Sequence, residues 1–456
     1  MSSASLRTVR FSGPFFCMPS PATASAATAA PQPQLLEGGE GFFPALVAAV
    51  DAARDWIQLE TYIFDFHGRG ADVAQALVRA AKRGVTVQVL VDGIGSAHLE
   101  DQTEPPKGAD NARVFAVELA AAYERDGPAR LQAAGVQWLR YSPLTGFWPT
   151  LGILHPDQWR RLHRKLCVID QRLVFCGGVN ILDDFHDPNH GPLNAPRFDF
   201  TVAVHGPAAA VASEAMALLW WRVQAGYSAQ QRHLAEAWEA FKAAGFGGRL
   251  RGLQAASARA GASGARPTAT LLLRDNLLNR NSIERAYRRA IGQARREIVI
   301  ANAYFLPGGR LRRALTKAAR RGVKVTLLLQ GKYEYFMQYH AARPVYGALL
   351  RAGVEIHEYE ASFLHAKVAV VDGHWATVGS SNLDPLSLLL AREANVVIDD
   401  RAFAAALHKR LCEAIEGHGR RMDETAFASR PWRQRLLDQL AYALMRLALL
   451  LTRHRY

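Results

Sequence analysis

The chain is written twice, and a repeat of this length restricts the fold to two copies of one architecture. Ala81-Lys-Arg-Gly84-Val-Thr-Val87 returns as Ala319-Arg-Arg-Gly322-Val-Lys-Val325, an offset of 238 residues (322 minus 84). Ala133-Ala-Gly135-Val136 returns as Arg351-Ala-Gly353-Val354, offset 218, and His163-x-Lys165 as His365-x-Lys367, offset 202. The order of elements is unchanged while the offset shrinks in two steps. The first half therefore carries two extra insertions, of 20 and 16 residues.

Each half alternates strand and helix signals. Apolar residues at three- and four-residue spacing predict helices over 43–54 and 70–82, and alternating or continuous apolar runs predict strands over 57–64 and 85–92. The second half repeats these as 282–296, 310–321, 297–305 and 323–330. Gly84 is placed to end its helix in a left-handed cap. Such an order predicts an α/β fold, two tandem domains with mixed central sheets flanked by helices and related by a pseudo-twofold axis. The expected bounds are a disordered leader over 1–35, a first domain over 36–250, a small, polar linker over 251–268, a second domain over 269–420 and a basic amphipathic helix over 421–456.

Composition narrows the function classes. Hydrophobic residues are 49% and charged residues 21%, which excludes a fully disordered or fibrous chain. A net charge of +14 favours anionic partners, either nucleic acid or acidic phospholipid. No run of 18 apolar residues exists, so the sequence offers no helix to span a bilayer. Cys17, Cys167, Cys176 and Cys412 form no CxxC pair, and no disulfide framework is expected, which leans toward a reducing compartment.

The chemistry concentrates in one repeated pattern. His163-Arg-Lys165-Leu-Cys-Val-Ile-Asp170 is followed by Gly177-Gly178-Val-Asn180. His365-Ala-Lys367-Val-Ala-Val-Val-Asp372 is followed by Gly379-Ser380-Ser-Asn382, every position at the offset of 202. In an extended strand a histidine and a lysine two apart share a face, so an imidazole and an ammonium project together. The Gly-Gly and Gly-Ser turns let backbone amides and an Asn amide approach a bound anion. One His-x-Lys by itself is a chance surface pair; ten matched positions in two copies are not.

This pattern resembles the phospholipase D superfamily, whose signature is a duplicated HKD motif, and the resemblance covers roughly residues 40–415. It implies two phospholipase D-like domains that share one phosphodiester site. The candidate catalytic set is His163, Lys165, Asp170, His365, Lys367 and Asp372, with Asp170 and Asp372 fixing local geometry rather than carrying protons. By the same resemblance His163 is the nucleophile, forming a phosphohistidine, and His365 the acid and base. Lys165 and Lys367, supported by Asn180, Asn382, Gly178 and Ser380, hold the nonbridging oxygens. Asp199 and Glu393 fit the family's downstream acidic positions, where each would hold the second nitrogen of a histidine. A solvated strand-end carboxylate is the alternative for each. No metal and no cofactor are expected.

Within the superfamily the chain is most similar to bacterial cardiolipin synthases. The carrying segments are Ile57-Gln-Leu-Glu60-Thr-Tyr62-Ile-Phe64, Val91-Asp92-Gly-Ile-Gly95-Ser96 and Tyr339-His-Ala-Ala-Arg343-Pro-Val-Tyr346, the last pointing to the type without N-terminal membrane spans. The resemblance implies phosphatidyl transfer from one phosphatidylglycerol to another with release of glycerol. It also implies peripheral attachment to the bacterial cell membrane on its cytoplasmic face, with no nucleic acid and no obligate protein partner. A hydrolase, a transferase using another alcohol, and a nuclease are the competing readings. Three further features are singled out. Leu436, Leu437, Leu440, Ala443, Leu444, Leu447 and Leu451 form a helical stripe beside Arg433, Arg435, Arg446, Arg453 and Arg455, suited either to an anionic bilayer or to the protein's own core. Phe147, Trp148, Leu151, Ile153 and Leu154 are candidates for an acyl-chain entrance. Tyr62 and Tyr304 are expected at equivalent strand ends.

Overall fold

The computed structural model describes residues 31–93, 95–96, 127–141, 161–187, 190–230, 233, 268–275, 279–332, 336–385 and 391–451. The segment 1–30, the apolar residues 147–154, most of the linker, and Arg453 and Arg455 lie outside these. The two insertions fall between β3 and β4 and between β4 and β5 as defined below, where 97–126 and 142–160 are likewise outside.

The first half contributes β1 (Gln34–Glu37), β2 (Trp56–Thr61), β3 (Thr86–Asp92), β4 (Gln137–Tyr141), β5 (Leu166–Ile169), β6 (Leu173–Gly177), a short β7–β8 hairpin (His186–Asp187, Gly191–Pro192) and β9 (Phe200–His205). The second contributes β10 (Ala269–Arg274), β11 (Glu297–Asn302), β12 (Lys324–Gln330), β13 (Glu355–Tyr359), β14 (Lys367–Val371), β15 (Trp375–Gly379), β16 (Glu393–Asp399) and β17 (Gly419–Arg421). The first sheet runs β1-β9-β6-β5-β2-β3-β4, and the second β10-β16-β15-β14-β11-β12-β13-β17. Strand for strand the orders are the same, with β17 added at one edge. Three neighbouring strands in each sheet are parallel and the rest antiparallel, the mixed sheet that the βαβ order predicts.

Helices α1 (Gly38–Ala52) and α2 (Gly68–Lys82) cover one face of the first sheet. On the second sheet the matching face is covered by α4 (Ser282–Gln293), α5 (Gly309–Arg320) and α6 (Phe336–Leu350). Gly84 and Gly322, at φ +90° and +86°, end α2 and α5 in the left-handed conformation. The other faces meet. Leu166, Val168, Phe200 and Val202 of one sheet and Val299, Val368, Val378 and Val396 of the other lie in one core, together with α3 (Pro207–Gln230) and α7 (Arg401–His418). Neither half could expose this face to water, so the two sheets are fixed about a common seam.

Two bounds differ from expectation for stated reasons. β1 begins at Gln34, inside the span assigned to the leader, because it pairs antiparallel with β9. α1 starts at Gly38 rather than 43. Its glycine-rich first turn has poor helix propensity, but the Gly38 amide donates to the Asp199 carbonyl at 2.8 Å and the Gly39 amide to the Asp184 carboxylate. Tertiary bonds thus hold a turn that local sequence disfavours.

Candidate active site

The motif strands β5 and β14 lie at the centre of their sheets, and the histidines immediately precede them at the seam. There the halves exchange backbone hydrogen bonds in matching pairs. The His163 amide donates to the Arg392 carbonyl at 3.0 Å, and the His365 amide to the Phe198 carbonyl at 2.9 Å. The bridges Leu162–Arg392 and Phe198–Leu364 are both parallel. Each histidine is thereby set beside the strand entry of the opposite half.

That placement decides which carboxylate holds which ring. His163 Nδ1 lies 2.9 Å from Glu393 Oε1, and His365 Nδ1 lies 2.6 Å from Asp199 Oδ2. The pairs are crossed: every imidazole is gripped by the other half's acid. In both pairs Nδ1 is committed to the carboxylate, which leaves Nε2 as the nitrogen for chemistry.

Lys165 and Lys367 are both buried, and each ammonium donates to the carbonyl of the histidine two residues earlier, Lys165 at 2.9 Å. Burial, with the positive charge of Lys367 added, pushes Lys165 down to about 7, against the opposing pull of Glu393 and Asp199. His365 falls well below its usual value through burial and the charges of Lys367, Lys165, Arg197 and His163. His163 is lowered by burial and by Lys165 and Lys367, less the attraction of Glu393. The crossed contacts bring the histidine–lysine pairs of both halves to the seam between them. The concentrated positive potential is what a phosphodiester anion would neutralise.

The two supporting acids differ. Asp199 is raised to about 6, burial outweighing the nearby lysines. Its carboxylate occupies the space above Gly178, where a Cβ would come within 2.2 Å of Oδ1. The equivalent Ser380 instead donates its hydroxyl to Glu393 and accepts the Ala394 amide at 3.0 Å. Although burial pushes Glu393 upward, His163, Lys165 and the Ser380 hydroxyl together bring it below the usual range. Asn180 and Asn382 accept the Ile63 and Tyr304 amides at 3.3 and 3.4 Å, which ties the turns after β6 and β15 to the ends of β2 and β11.

Asp170 and Asp372 are not brought into the cleft. They sit at the far ends of β5 and β14, seven residues and roughly 20 Å of extended chain from their histidines. Asp170 accepts the amides of Arg54, Asp55 and Trp56 at 2.8–3.0 Å, and Asp372 those of Arg295, Arg296 and Glu297 at 2.8–3.0 Å. Both adopt positive φ, +48° and +52°. They pin the start of the neighbouring strand, which leaves two histidines and two lysines as the candidate catalytic set. Asp170→Ala is accordingly expected to cost about 2–4 kcal/mol in urea unfolding, with the kcat of the folded fraction retained.

Several contacts around the site were not legible in the sequence. Asp92 and Gln330, both at the C-terminal ends of β3 and β12, accept the amides of Leu162 and Leu364 at 2.8 and 3.0 Å and so fix the residue before each histidine. Their equivalence was readable from the 238-residue offset, but Asp and Gln share only an acceptor oxygen. Tyr62 packs its ring 5.2 Å from His163, with Lys165 Nζ 5.4 Å from its centroid. The expected equivalence with Tyr304 is off by one residue. Ladder register pairs Ile57 with Ile169 and Ile298 with Val371, so Tyr62 corresponds to Ala303 and Tyr304 to Ile63. Among the described residues no group of His, Cys, Asp and Glu is arranged to hold a metal ion, and no helix is long and apolar enough to cross a membrane.

Comparison with known proteins follows the same duplication. A family described as "Cardiolipin synthase, PLD-like domain" matches twice, over residues 46–190 and 287–414. Cardiolipin synthase B of Escherichia coli strain K12 is 37% identical over 422 residues, 91% of this chain and 87% of that one. Cardiolipin synthase A of Proteus mirabilis is 28% identical over 412 residues, 90% and 74% of the two chains. The crystal structure of phosphatidylserine synthase from Haemophilus influenzae shares the fold, with a TM-score of 0.57 at 13% identity over 91% of this chain and 93% of that one. With both halves matched and nine-tenths of its length aligned, this chain belongs to the cardiolipin synthase family of phospholipase D-like proteins.

Proposed function

We propose that the protein is a cardiolipin synthase, a phosphatidyltransferase that moves the phosphatidyl group of one phosphatidylglycerol onto the free glycerol hydroxyl of a second. The family and its relatives support the reaction class. The observation that carries the mechanism is the crossed pair of carboxylate–imidazole contacts around two buried lysines.

In the first step His163 Nε2 attacks phosphorus. The N–P bond forms, the bond to the headgroup glycerol oxygen breaks, and His365 gives that oxygen its Nε2 proton, so glycerol leaves neutral. In the second step the hydroxyl of the incoming lipid passes its proton to His365 and attacks phosphorus, and the N–P bond breaks. Both histidines return to their starting states. Glu393, ionised and bonded to Ser380, fixes His163 with its Nε2 lone pair outward, as a nucleophile requires. Lys165 and Lys367 face the nonbridging oxygens, where their charge counts most in the transition state. Attachment is peripheral, on the cytoplasmic face.

The pH dependence follows from the sign of the bound charge. In the empty cleft Lys165 loses its proton near pH 7 and His365 well below 6.5. A phosphodiester anion stabilises both protonated forms and raises both values. The alkaline limb of kcat/KM, which reports the free enzyme, is expected at lower pH than that of kcat; superimposed limbs would contradict this electrostatic picture. The function itself is tested with purified protein and vesicles containing labelled phosphatidylglycerol. Cardiolipin with an equimolar amount of glycerol is the expected product. Phosphatidic acid alone would make it a hydrolase, and untouched lipid with cleaved DNA a nuclease.

A further inference from the structure

Among the described residues, the C-terminal helix α9 (Trp432–Leu451), which follows the short α8 (Glu424–Ala428), is docked by one side only. Asp438 and Ala441 are buried, and Asp438 Oδ1 lies 2.7 Å from His340 Nδ1 of α6, while its Oδ2 accepts from Arg430 at 3.0 Å. Met445 and Tyr442 pack on the core of the second half from the same side. The opposite side is apolar and uncovered: Trp432 is 68% exposed, Leu440 52% and Leu444 57%, with Leu436, Leu437 and Leu447 beside them. At 100° per residue these six span about 140° of the helix and are centred opposite the docked face. Phe336, its ring 4.6 Å from that of His340 and tilted to it, is also exposed. Water-facing leucines in such a contiguous row are a docking surface rather than ordinary scatter.

We infer that this row is the surface by which the enzyme seats itself on its lipid bilayer, a deepening of the function proposed above and resting on it. Two observations favour lipid as the occupant. Exposed Arg433, Arg435 and Arg446 adjoin the row, which suits an anionic headgroup layer, and Trp432 stands at one end of the row, the position favoured at an interface. On its docked side the helix also borders a pocket. Met445 lines it with Tyr304, Tyr339 and Arg343, and so do Ala303 and Gln330. Ala303 and Gln330 hydrogen-bond Ala366 and Leu364, the residues on either side of His365. The helix that carries the row thus borders, on its docked side, a pocket next to the residues flanking His365.

The test is co-sedimentation of the full chain with phosphatidylglycerol–phosphatidylcholine vesicles, comparing wild type with Leu440→Glu/Leu444→Glu. Both positions are exposed, so the fold is kept, and activity on a short-chain phosphatidylglycerol below its micelle concentration checks the cleft independently. The expected result is a loss of vesicle binding of about tenfold or more with monomer turnover unchanged. Undiminished vesicle binding by the variant would overturn the inference. So would a wild-type dimer that the variant abolishes while vesicle binding persists, since the row would then join two copies of the chain. Wild-type vesicle binding lost in the variant, with no turnover of any phospholipid by either, would support the docking surface and refute the proposed function instead.

Discussion

His163→Ala and His365→Ala each lower cardiolipin formation by about 10,000-fold or more, and the double variant loses little beyond either single one. Groups that act as a unit are non-additive, because removing one leaves the other with no step to assist. Two independent sites, one per half, would behave otherwise: each single variant would keep about half the activity. Vesicle assays at saturating phosphatidylglycerol read the difference directly.

The second large effect comes from the crossed carboxylates. Glu393→Gln and Asp199→Asn should each lower kcat by about 1,000-fold, since an amide presents the wrong partner to Nδ1 and the ring loses its tautomer and its stabilising charge. Neither acid touches the lipid, so KM should change less than about threefold. Gly178→Ala should resemble Asp199→Asn, because its methyl group enters the space of the Asp199 carboxylate. Nitrogen-15 histidine spectra separate a positioning role from general loss of structure. The His163 ring resonances should move in Glu393→Gln and stay in Asp199→Asn; the reverse would show same-half pairing.

The sequence carried the duplication, the two sheets and the histidine–lysine faces because these are local facts. A two-residue spacing on a strand sets a common face whatever surrounds it, and matched spacing in two copies sets a common topology. It did not carry the crossing. Asp199 lies 36 residues after His163, and Glu393 lies 28 after His365. Nothing in that spacing tells whether an acid serves the histidine of its own half or of the other. The answer comes from the seam, where apolar faces of two sheets force β9 and β16 against the opposite motif. Tyr62 and Tyr304 misled for a related reason: similar strand endings suggest equivalence, but register is set by the ladder with the neighbouring strand, and a shift of one residue reverses the face. The α9 leucines read equally well as core or surface, because an amphipathic pattern states that one side differs, not which side finds a partner.

The central claim, one phosphorus centre served by both halves, is tested most directly with a diacyl phosphodiester whose leaving group is 4-nitrophenolate. Such a leaving group needs no general acid, so His365→Ala can complete the first step but has no base for the second. The account predicts a burst of one nitrophenolate per chain in His365→Ala, with the phosphatidyl label recovered on His163, and no burst in His163→Ala. No burst in His365→Ala, a phosphatidyl label recovered there on a residue other than His163, or a burst in His163→Ala with the label on His365 would contradict it.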